Sequence, residues 1–138
     1  MRKKLVTLIV AIILANSFVA HAVADVERFN VISPMYTYIS VAKATLSINS
    51  SGKATVGTEI TGNSEVTSIK SKIELQKYKD KGWTTIKTWN ESSTSRKLRF
   101  SDTYYVSGGY SYRVKSTVTA YSGQNSESTT LTSSTQSY

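Results

Sequence analysis

No cysteine occurs anywhere in this chain, and its single histidine, His21, lies close to the start. The first absence excludes disulfide cross-links, cysteine ligand sets for zinc and a lipid-modified N-terminal cysteine. If the leader described below is removed, the second takes with it the Ser-His-Asp and Cys-His nucleophile systems and the usual proton carrier near neutral pH. Nine acids are scattered through the sequence. A glycosidase-like carboxylate pair is compatible with that composition, but surface solvation is the plainer role for each acid. There is no D-x-[DN]-x-[DN]-G run of the calcium-loop type. Gly108 and Gly109 read as turn residues rather than a phosphate cradle. No catalytic residue, metal ligand or cofactor is assigned, and the expectation is a non-enzymatic protein.

Long apolar runs are almost as scarce. One stands at the start, where Arg2, Lys3 and Lys4 precede an apolar stretch over residues 5–15 and small-residue sites at Ala20, Ala22 and Ala24. That is the layout of a secretory signal peptide cleaved after Ala24, or after Ala22 as the second choice. A membrane span is the alternative, but Asn16, Ser17 and His21 interrupt it. The expected organisation is a signal peptide over 1–24, a lead-in over 25–35 ending near Pro34, the only proline, and one domain over 36–138. With no second apolar segment, the expected location is extracellular, without a stable membrane span after cleavage. The formal charge of +8, less the three basic residues of the leader, leaves +5. A mild positive field favours anionic polymers or surfaces without naming one, and equally keeps a secreted domain soluble.

What remains abounds in serine and threonine, 38 residues of the last 114, which suits strands and turns. Ala42, Ala44, Leu46 and Ile48 alternate with polar residues, the chain turns at Gly52, and Ala54, Val56, Thr58 and Ile60 alternate again, which is a β-hairpin. A second hairpin spans 73–90, IELQKYKDKGWTTIKTWN, around a turn over 79–82. Leu98 and Phe100 share a face of a short strand. Tyr110, Tyr112, Val114, Val118 and Ala120 share a face of a long one, and a polar last strand covers about 126–136. Seven strands of this kind predict an all-β, antiparallel immunoglobulin- or fibronectin-III-like sandwich, with Tyr110 or Tyr112 at the tyrosine-corner position. A small barrel is the alternative.

The second hairpin holds both tryptophans, and its register decides their use. A four-residue turn pairs Tyr78 with Trp83, Leu75 with Ile86 and Glu74 with Lys87. A three-residue turn would pair Leu75 with Lys87 and mix apolar with charged partners, so the first register is preferred. It sets Tyr78, Trp83, Lys87 and Trp89 on the outer face as a candidate ligand platform. The tryptophans are then about 20 Å apart at roughly 3.4 Å per residue. The competing structural reading, favoured over the platform, makes Tyr78 and Trp83 a stabilising cross-strand pair and folds Trp89 over a sheet edge to close the core.

The leader together with SPMYTYI, LSINSSGKATV, LQKYKDKGWTTIKTW and YYVSGGYSYRVKSTVTAY resembles uncharacterised small secreted immunoglobulin-like proteins of Gram-positive gut bacteria. The resemblance implies export and a β-sandwich, and it transfers no activity. The expected function is a secreted binding module for an extracellular polysaccharide or protein, with no specific nucleic-acid partner. The alternatives are a cationic antagonist acting on cell envelopes and a structural protein that pairs its last strand with a neighbour's sheet.

Overall fold

A computed structural model describes residues 35–138. The expected leader and residues 25–34 of the expected lead-in lie outside the described residues. Among the described residues there is no helix, and so none long and apolar enough to cross a membrane. Eight strands form: β1 (Ile39–Ile48), β2 (Lys53–Gly62), β3 (Ser68–Lys79), β4 (Gly82–Ser93), β5 (Lys97–Tyr105), β6 (Ser111–Ser122), β7 (Asn125–Thr132) and β8 (Gln136–Ser137). They make two antiparallel sheets, β1-β2-β5 and β4-β3-β6-β7, with β8 paired to β6 where β7 has ended. The fourth strand pairs with the third, whereas in a constant-type immunoglobulin domain it joins the fifth.

The expected last strand is thus broken in two. Ser133 causes the break: its hydroxyl accepts the Val114 N–H at 2.8 Å, and its own N–H donates to the Val114 carbonyl at 2.9 Å. A side chain has taken a place in the ladder that the backbone would otherwise fill.

The inward positions show why the sheets stack. On β2 they are Ala54, Val56, Thr58 and Ile60, on β3 Ile69, Ser71, Ile73 and Leu75, and on β6 Tyr112, Val114, Ser116, Val118 and Ala120, all buried. Each fully buried Val, Leu or Ile contributes about 1.5–3 kcal/mol. Each central strand has one serine or threonine among its inward residues, and the three meet. Ser71 bonds Ser116 at 2.9 Å, Ser116 lies 3.3 Å from the Thr58 hydroxyl, and Thr58 donates to the Lys43 carbonyl at 3.1 Å. This layer separates a cluster around Ile60, Ile69 and Val118 from one around Val56, Ile73 and Val114.

Two further contacts fix the frame. The Tyr112 ring is 1% exposed and its hydroxyl donates to the Ser107 carbonyl at 2.6 Å, so Tyr112 fills the tyrosine corner. At the β1–β7 side the Glu127 carboxylate accepts the N–H groups of Thr37, Tyr38 and Ile39 at 2.7, 2.8 and 2.9 Å. Partial burial works to raise the pKa of Glu127, but the three bonds together outweigh it and hold the value below the ordinary 4.5.

Tyr112→Phe, which keeps the ring and deletes the corner bond, is expected to lower stability by about 1–2 kcal/mol, read as a shift of the urea midpoint. Because the folded pKa of Glu127 is depressed, its contribution is complete above its unfolded value and fades as pH falls through the folded one. Glu127→Gln is therefore expected to be less stable than the parent at pH 7, with the gap narrowing steadily below about pH 4.5 in thermal melts.

Candidate binding site

The β3–β4 hairpin turns through Asp80 and Lys81, both left-handed with φ of 53° and 64°, as a two-residue type I′ turn requires. Tyr78 pairs with Trp83, as the sequence predicts, and Lys79 also pairs with Gly82, so the expected four-residue turn tightens to two residues. The ladder then shifts. Gln76 faces Thr85, the next residue of β3, Leu75, faces Lys87, and Ile86 is left as the extra residue of a β-bulge. The expected pairs Leu75 with Ile86 and Glu74 with Lys87 do not form. Leu75 and Ile73 are fully buried and draw apolar cover from β4, which Ile86 and Trp89 supply only if one residue is inserted between them.

The shift moves Lys87 and Trp89 off the outer face. Trp89 pairs with Ile73, its ring packs on Phe100 with centroids 5.7 Å apart, and its indole N–H donates to Asp102 Oδ2 at 2.7 Å. It spans from β4 to β5 and closes that side of the sandwich, the edge-folding alternative weighed for it. The Lys87 ammonium lies 5.7 Å from the Trp89 ring centroid. The N–H of Thr103, then the Trp89 indole, and Lys87 more weakly, hold the Asp102 carboxyl below its ordinary pKa against slight desolvation. A single platform of Tyr78, Trp83, Lys87 and Trp89 therefore does not exist.

Tyr78 and Trp83 do lie on the outer face, with ring centroids 5.2 Å apart and tilted by 58°. The Arg113 guanidinium covers the Trp83 ring at 4.2 Å while its Nε donates to Gln76 Oε1 at 2.9 Å. Trp83 is thus wedged and half-buried, and Tyr78, 44% exposed, is the ring left free. Beside it opens a shallow depression lined by Tyr78, Gly109, Tyr110, Ser111, Ser137 and Tyr138. Tyr110 and Tyr138 exchange backbone hydrogen bonds at 3.1 and 3.2 Å, which brings the two rings to one place. Lys77 lies 4.5 Å from the Tyr110 centroid. Tyr138 rests on the β1–β2 turn, where Gly52 has φ of 79° and any Cβ would come within 2.8 Å of the ring. A larger residue there would push Tyr138 out.

Three tyrosines backed by a tryptophan and two cations, Lys77 and Arg113, offer planar apolar faces with hydroxyl handles, the chemistry that stacks on flat sugar faces or on aromatic partners. Among the described residues no three of His, Cys, Asp or Glu gather to hold a metal ion. Tyr110 and Tyr138 are the members that sequence reading missed. No family model matches the chain, and no curated protein matches it. Among solved structures, the solution structure of R. palustris CsgH is 16% identical, with 66% of this chain and 91% of that one covered and a TM-score of 0.38. At that score the likeness bears on neither fold nor function.

The two tryptophans are expected to separate cleanly in denaturant titrations. Trp89→Ala should lose about 3 kcal/mol or more by opening the core at its edge. Trp83→Ala should lose only about 1–2 kcal/mol, the worth of its contacts with Tyr78 and Arg113.

Proposed function

We propose that this chain is an exported, non-enzymatic module that binds an extracellular polysaccharide at the tyrosine-lined end of its larger sheet. The observation that carries the reading is the gathering of Tyr78, Tyr110 and Tyr138 around one open depression. Tyr78 and Tyr138 there remain 44% and 38% exposed although each is held in place. Held aromatic faces open to solvent lose little conformational entropy when a ligand stacks on them. A folding role alone leaves that exposure unexplained.

The edge-pairing alternative draws less support. β7 is an edge of its sheet, but it is broken at Ser133 and tied to the start of β1 through Glu127. The opposite edge, β4, carries the bulge, a feature that blunts edge-to-edge pairing.

The test is depletion of the protein from solution by insoluble cellulose, mucin and bacterial cell walls. At least one should retain it, and Tyr78→Ala should weaken that retention by about tenfold or more, on the scale of an interface hot spot, while the melting curve stays cooperative. Retention by none of the three, or undiminished retention in both Tyr78→Ala and Tyr138→Ala, would refute the assignment.

A further inference from the structure

The outward residues of β4, β3, β6 and β7 line up in rungs that run across the sheet. Four successive rungs carry one cation each. Arg113 shares a rung with Gln76, Lys115 with Glu74, Lys72 with Thr117, and Lys70 with Thr119. Successive rungs are two residues apart, about 6.8 Å, so the stripe runs for about 20 Å and steps once from β6 to β3. Rings stand at its two ends: the pair Tyr78 and Trp83 beyond Arg113, and Tyr121, whose centroid is 5.6 Å from the Lys70 ammonium. The interior rungs hold hydroxyls and an amide, among them Asn90, Ser92, Thr117 and Thr130.

Three of the four charges are not neutralised by the protein. Glu74 is the single acid at these outward positions, and it is sunk. Its side chain is 14% exposed beside that of Lys72 at 54%, to which it is paired at 3.3 Å. Among the described residues, Lys70, Lys115 and Arg113 have no carboxylate within ion-pair distance.

We propose that this face binds a linear acidic polysaccharide, whose carboxylate, sulfate or phosphate groups meet the four cations in turn while its hydroxyls meet the Ser, Thr and Asn side chains between them. The proposal rests on the reading of the tyrosine-lined end as a polymer site, since the stripe begins there, and it names the class of polymer. Exposed ion pairs are individually weak in water, so a repeating partner that engages several at once is the ligand such a stripe favours. Single-stranded nucleic acid needs stacking rings interleaved with the charges, and here the rings stand only at the ends. A duplex groove admits a helix or a two-stranded ribbon, whereas this stripe lies on the flat of a broad sheet. No aliphatic side chain stands at the outward positions of the stripe to enter a lipid surface.

The test uses the whole exported protein with polygalacturonate, chondroitin sulfate, cellulose and oligo-dT as probes. Polygalacturonate or chondroitin sulfate should bind, with affinity that falls steeply between about 0.05 and about 0.5 M salt. Lys70→Gln/Lys115→Gln should weaken that binding by about tenfold or more, whereas Lys43→Gln/Lys97→Gln, which removes the same charge from the outer face of the other sheet, should change it by less than about threefold. Equal losses in the two double variants would overturn the proposal, because net charge rather than the stripe would then be acting. So would oligo-dT that binds as tightly as polygalacturonate. If cellulose retention is lost in Tyr78→Ala and untouched by the stripe variant, and the acidic polymers do not bind, the stripe fails while the aromatic site stands. If no polysaccharide binds at all, both fail.

Discussion

One inserted residue in β4 governs both the core and the surface of this sandwich. Opposite Leu75 the ladder takes in Ile86 as an extra residue, and from there on every side chain of β4 changes face. Before the bulge, Trp83 points outward to Tyr78 and Arg113. Beyond it, Trp89 points inward to Ile73 and Phe100. A chain without cysteine has no disulfide to staple its sheets, so their open sides are closed by side chains that cross from one sheet to the other. Trp89 with Asp102 closes the β4–β5 side, and Glu127 with the backbone of Thr37, Tyr38 and Ile39 closes the β1–β7 side.

The hydroxyl layer complements these closures from within. Buried hydroxyls weaken a core only when they lack partners, and among the described residues no buried side-chain polar atom is left without one. A contact through Thr58, Ser71 and Ser116 is directional, whereas the apolar clusters on either side of it are not. A slip of one sheet over the other would retain much of the apolar burial and break the three-hydroxyl chain. The layer therefore selects one stacking of the sheets among several of similar apolar content.

Alternation along the strands made most of this legible in the sequence. Ala54, Val56 and Ile60, or Tyr112, Val114 and Val118, can serve a core only as strands of a half-buried sheet. The start of the long strand offers Tyr110 or Tyr112 for the tyrosine corner, and burial with the bond to Ser107 selects Tyr112. The parity of β4 was not read. Ile73 and Leu75 are two residues apart and need apolar cover, and the apolar residues available across from them, Ile86 and Trp89, are three apart. That mismatch is the signature of an insertion, and a register argument based on an unbroken ladder conceals it. The tyrosine-lined depression was illegible for a different reason. Tyr78, Tyr110 and Tyr138 lie in three distant parts of the sequence, and only the pairing of β6 with both β3 and β8 collects them.

The basic character of the larger sheet follows from where the acids are used. Asp102 is taken up by an indole and a backbone N–H, Glu127 by three backbone N–H groups, Glu59 by Arg99 and Glu74 by Lys72. Asp102 and Glu127 are placed where an anion ties the two sheets together, while Glu59 and Glu74 each pair with a single cation. Fully buried inward positions are closed to a lysine by desolvation. Lys70 and Lys72 of β3 and Arg113 and Lys115 of β6 stand on the outward rungs, and the strict two-residue repeat of the strands turns these four into a regular row. Four of the protein's cations thus stand in one line along the open face of β3 and β6.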